Sequence, residues 1–91
     1  MFKQKLNLII SHYGDEQQVD KLLEELGELI TAIIKERQCS TEIMLDCVID
    51  EIADVLIMIE QYMLIKGIKA KKINDRKKLK IERTLARMER I

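Results

Sequence analysis

Five acidic residues have the spacing that could support chemistry: Glu24, Glu25 and Glu28 in one segment, Glu51 and Asp54 in another. Glu25 and Glu28 stand three residues apart, as do Glu51 and Asp54, which on a helix makes each couple neighbours. Glu51 is the unexpected member. At about 100° per residue it points the same way as Met44, Val48, Val55 and Met58. Asp54 lies one turn on, about 60° round the axis, while Asp46, Asp50 and Glu60 carry the polar side. An ionised carboxylate out of water costs several kcal/mol unless a cation pairs with it. Carboxylate oxygens suit a hard divalent ion, Mg²⁺ first and Mn²⁺ as a substitute. No Cys or His joins the acids, which disfavours zinc.

Helices must position these groups. Residues 2–13 predict a short amphipathic helix, with Phe2, Leu6, Ile9, Ile10 and Tyr13 at helical spacing. Gly14 breaks it, and Asp15 is a candidate N-cap for a second helix over 16–37. The apolar side of that helix is Val19, Leu22, Leu23, Leu26, Leu29, Ile30, Ile33 and Ile34. Glu24, Glu25 and Glu28 lie opposite this stripe, where solvation is the plain expectation. Cys39 to Thr41 is a short connection, with Ser40 or Thr41 able to cap a third helix over 42–66. The third helix is apolar over most of its circumference, as a central buried element should be. Gly67 fits a C-cap, and a fourth helix covers 69–90.

Short connections make antiparallel neighbours, so the second and third helices should form a hairpin. With the turn near 38–41, Glu28 and Glu51 stand at similar height. The two acidic couples then converge, and a divalent cation is what would let them do so. Residues 1–91 make one domain, an all-α bundle of four helices around this central hairpin.

The whole-chain numbers agree. Proline is absent and glycine scarce, which favours helices. A chain of 91 residues buries a modest fraction of its surface, and the third helix is too apolar for one thin layer to cover. A homodimer or homotetramer is therefore expected. No apolar run is long enough to span a bilayer, and the N-terminus lacks the pattern of a signal peptide. A cytoplasmic protein with no membrane role is the expectation. Cys39 and Cys47 fit neither a disulfide framework nor a zinc site; both should be reduced, with Cys47 half in a core.

The net charge of zero hides two opposed blocks. Residues 1–65 hold 5 Lys/Arg against 13 Asp/Glu, and residues 66–91 hold 11 against 3. The blocks face each other, or jointly face a ligand that brings metal cations and anionic groups together.

The arrangement EExxE followed by ExxD, Glu24-Glu25-Leu26-Gly27-Glu28 and Glu51-Ile52-Ala53-Asp54, resembles the MazG-like nucleoside triphosphate pyrophosphohydrolases. That all-α group also includes dimeric dUTPases and phosphoribosyl-ATP pyrophosphohydrolase. His12-Tyr13-Gly14 followed by Gln18 resembles the lead-in, EIADVLIMIEQ the third helix, and Lys80 to Arg87 the basic tail of short members. The resemblance implies Mg²⁺-dependent cleavage between the α and β phosphates of (d)NTPs, giving a nucleoside monophosphate and pyrophosphate. It implies Glu25, Glu28, Glu51 and Asp54 as metal ligands, with Glu24 auxiliary. It implies Lys80 and Arg83 as phosphate contacts, with Arg87 a weaker candidate.

Lys69, Lys72, Arg76, Lys80, Arg83, Arg87 and Arg90 keep to one stripe of the fourth helix. An Arg fork or a Lys point charge suits phosphate oxygens, and the plain alternative is a solvated cationic face. Nucleic-acid binding along the same stripe is disfavoured, because one Phe, two Tyr and no Trp leave few stacking platforms. Gln18 precedes Glu25 by seven residues and shares its face, which suggests a polar contact to base or sugar. A non-catalytic helical interaction protein, its acids meeting the basic helix, is the alternative from another class.

Overall fold

With no proline and only three glycines, little in the chain stops a helix except its caps. The structure, a computed structural model, describes residues 2–90. It consists of α1 Lys3–Tyr13, α2 Asp15–Gln38, α3 Glu42–Lys66 and α4 Ala70–Met88, with no strand among the described residues.

The helix ends follow from local chemistry. Gly14, at φ 95°, takes the cap position before α2. Asp15 is thus the first helical residue and makes no side-chain cap, unlike the expectation from sequence. With Glu16 it instead places negative charge at the positive end of the helix dipole. The Thr41 hydroxyl accepts from the Met44 N–H at 3.1 Å and opens α3. The neighbouring Ser40 hydroxyl donates to the Glu36 carbonyl at 3.1 Å and helps close α2. Gly67 ends α3 in the left-handed region at φ 67°, and the following Ile68 N–H bonds the Met63 carbonyl at 2.8 Å.

The dominant packing is α2 against α3, an antiparallel hairpin turned over residues 39–41. α1 folds back and buries Leu6 and Ile10 against both. α4 buries none of its side chains and packs closely against no other helix. So three helices pack, and the fourth is an arm. The radius of gyration, 16.4 Å, exceeds the roughly 12 Å of a compact domain of this length. No helix among the described residues is long and apolar enough to cross a membrane.

The packing corrects the sequence reading of two faces. Of the apolar stripe expected on α2, only Val19, Leu22 and Leu29 are withdrawn from solvent. The line Gln18, Leu22, Glu25, Leu29 and Ala32 turns inward instead, while Leu23, Leu26, Ile30 and Ile33 stay exposed. α3 is central in position, yet only Val55, Met58 and Gln61 along it are buried. Cys47 is exposed rather than half in a core, and Tyr13, also exposed, sits edge-on to His12.

At the open end of the hairpin lies a buried amide pair. Gln18 Nε2 donates to Gln61 Oε1 at 2.6 Å, and Gln61 is only 2% exposed. It is the one side-chain hydrogen bond among the described residues that joins two helices. Gln61→Leu should lower stability by about 1–3 kcal/mol, because the Gln18 amide loses its partner in a buried setting. Gln18→Leu combined with Gln61→Leu should cost less than either single change. Urea denaturation of the three variants checks the order.

Candidate metal centre

Midway along the α2–α3 seam the apolar contacts give way to carboxylates. Glu25 from α2 is buried, 6% exposed; Glu51 from α3 is half-buried; Glu28 lies at the exposed edge. One oxygen from each comes within 4.8 Å of the other two. The antiparallel turn sets their height, and helical spacing sets their direction: Glu25 and Glu28 are one turn apart, and Glu51 faces them.

Glu25 Oε2 and Glu51 Oε2 are shut off from solvent and have no hydrogen-bond partner. A buried anion without a donor is costly, and ionised carboxylates are acceptors only, so they cannot satisfy one another. Lys21, one turn before Glu25, relieves part of this. Its Nζ sits 3.2 Å from Glu25 Oε1 and 3.6 Å from Glu24 Oε1. The Glu25 contact, with the charges of Glu24 and Glu25, holds the Lys21 amine above its usual range. That contact leaves Glu25 Oε2 and the whole of Glu51 without a cation.

Protonation shows the same strain. Burial, then the charges of Glu28, Glu25 and Asp54, pushes the Glu51 carboxyl upward. Glu28 is raised first by a hydrogen bond to Glu25 that only its protonated form can donate, then by Glu25's charge. Carboxyls pushed upward by burial and by one another's charge are relieved by shared protons or by a metal.

A groove of about 710 Å³ opens beside the trio. Glu24, Glu28 and Lys35 line it from α2, Cys47 and Glu51 from α3. Gly27 is also in its wall, and a Cβ placed there would meet nothing within 4 Å. Mid-helix glycine costs stability, so Gly27→Ala should add about 0.5–1 kcal/mol, read from thermal melting.

The expected site residues divide into three groups. Glu25, Glu28 and Glu51 come together. Glu24 lines the groove next to them, and Asp54 is exposed outside the trio, near enough for its charge to act on Glu51. Lys80, Arg83 and Arg87 are exposed on α4, which does not pack on the hairpin, so the chain by itself does not bring them to the acids. Gln18 shares the buried face of Glu25, but its amide is bonded to Gln61. Lys21 and Gln61 were missed from sequence. Lys21 was legible as a helix neighbour four residues from Glu25, and Gln61 as an isolated amide in an apolar helix.

The donor set fits a hard divalent cation: oxygens only, no sulfur or imidazole, and two buried oxygens lacking any partner. Compared with protein-family models, with curated proteins and with solved structures, the chain matches none.

Proposed function

We propose that this chain is a Mg²⁺-dependent nucleoside triphosphate pyrophosphohydrolase of MazG-like type, acting in the cytoplasm as a homodimer or homotetramer. It would cleave (d)NTPs between the α and β phosphates, releasing a nucleoside monophosphate and pyrophosphate, with clearing of non-canonical nucleotides as one use. The observation that carries this is the pair of unpartnered buried oxygens, Glu25 Oε2 and Glu51 Oε2, converging with Glu28 beside an open groove.

Glu25, Glu28 and Glu51 would hold the ion, with Asp54 completing its shell from the exposed side. When bound, Mg²⁺ supplies charge neutralisation for the phosphates and activation of water for in-line attack. Glu24, at the groove wall, would orient that water. Lys21, 3.2 Å from Glu25 Oε1, would hold that side chain in place. Lys80 and Arg83, with Arg87, would grip phosphate oxygens once α4 is brought to an acidic groove, which the opposed charges of the two chain blocks favour.

Pyrophosphate release from a panel of nucleoside triphosphates, with Mg²⁺ and with EDTA, tests the proposal. Release only with Mg²⁺ supports it; no release from any nucleotide under either condition overturns it. Lys80→Ala with Arg83→Ala should raise KM about tenfold or more and leave Mg²⁺ affinity unchanged, checked by steady-state kinetics and titration calorimetry.

A further inference from the structure

The groove beside the acids runs toward the turn of the hairpin. Lys35 of α2 and Met44 of α3 both line it, each seven residues nearer the turn than Glu28 and Glu51. Seven residues are two helical turns, about 10 Å, on the same face of each helix. The groove thus has an acidic end and, two turns away, an end with a cation. Lys35 is the only basic residue in its lining. Among the described residues Lys35 makes no ion pair and no side-chain hydrogen bond. Side chains on a helix lean toward its N-terminus, so the Lys35 arm leans back along the groove toward Glu28.

Between the two ends the walls are Gly27, Ala32, Met44 and Cys47. Thr31 is there as well, but its hydroxyl donates to the Gly27 carbonyl at 3.1 Å. This middle section offers a phosphate neither charge nor a free strong donor. It suits a flat ring: Gly27 and Ala32 leave room, and the Met44 and Cys47 sulfurs make favourable contacts with a π-system. Gln18, the residue that sequence pointed to for a base contact, has its amide engaged with Gln61.

We propose, resting on the hydrolysis just described, that Lys35 selects the substrate's base by donating to a ring carbonyl. Phosphates held at the acidic end leave ribose and base to extend toward the turn, a span that the two together fill. The ring lies among Ala32, Met44 and Cys47, and the ammonium meets its outer edge. An ammonium has three donors and no acceptor. It pairs with O6 of guanine or hypoxanthine and with O4 of uracil, whereas the exocyclic amine of adenine or cytosine sets donor against donor. The favoured substrates carry a carbonyl where adenine and cytosine carry that amine. Hydrolytic deamination, in which water replaces the amine and ammonia leaves, is the class of reaction that supplies them. A plain electrostatic role also exists, since Lys35 stands in the last turn of α2, where a cation suits the helix dipole. That role bears on stability and not on the choice of base.

The test is kcat/KM with saturating Mg²⁺ for dITP against dATP and for dUTP against dCTP, two pairs that exchange a carbonyl for an amine. In the wild type the carbonyl member of each pair is expected to lead by about tenfold. Lys35→Ala should bring both ratios close to one, and Lys35→Glu, an acceptor in place of a donor, should reverse them. Arg37→Ala removes the other cation from the last turn of α2, outside the groove, and should leave both ratios as they are. Wild-type ratios near one overturn the proposal, as do unchanged ratios in Lys35→Ala or ratios lost equally in Arg37→Ala. Pyrophosphate release with ratios that ignore Lys35 sinks base selection alone. No release from any of the four nucleotides sinks the hydrolysis, and base selection with it.

Discussion

Replacing Glu51 with glutamine is expected to lower Mg²⁺-dependent pyrophosphate release about a thousandfold, with folding intact. The change is nearly isosteric, so the α2–α3 seam keeps its packing. What it would remove is a charged ligand from a site proposed to hold a dication against phosphate, and a loss of about 4 kcal/mol at the transition state is a factor near a thousand. Stability should hold or rise. Glu51 is raised by burial and by the charges of Glu28, Glu25 and Asp54, and glutamine carries no charge to repel them. Its amide can also donate to an oxygen of Glu25 that has no partner. An ordinary helix-surface glutamate would show neither effect. Near-normal turnover by the variant, measured at saturating Mg²⁺, would remove the centre from its assigned place.

Mg²⁺ should also raise the melting temperature, and more so at higher pH. Binding to the folded chain alone adds about 2.7 kcal/mol at a hundred times the dissociation constant. For a chain of this size that is a rise of roughly 10 °C or more, at fixed protein concentration. The pH dependence has a definite sign. Glu51 and Glu28 are held above the ordinary glutamate value of about 4.3. Between that value and their raised ones the folded chain carries more protons than the unfolded. Stability in EDTA therefore falls as pH rises through that window and stays lower above it. With Mg²⁺ the trend reverses, because the ion binds the deprotonated carboxylates. Melting curves at several pH values, with and without Mg²⁺, read both effects. Identical curves would mean that the acids hold no ion.

Part of this molecule was legible residue by residue. The caps are local, so sequence located Gly67 and narrowed the other to Ser40 or Thr41, and the helix limits fall within two residues of expectation. The convergence of Glu28 with Glu51 followed from their equal distance to a short turn. Asp15 was misassigned because Gly14, at φ 95°, could take the cap position with no side chain at all. Gln61 was overlooked because its meaning depends on Gln18, forty-three residues away.

What the sequence determined by itself is the helical periodicity and the acidic couples, since both depend only on spacing along one chain. It could not say which edge of the apolar stripe on α2 would meet α3. The whole stripe looked like the core, yet only its Leu22 and Leu29 edge turned inward, with Gln18 and Glu25 beside it. Only the tertiary structure decided that, because facing direction is a property of the pair of helices and of what covers the remaining side. Glu25 became buried beside Glu51, and Leu23, Leu26, Ile30 and Ile33 were left exposed, in that one rotation.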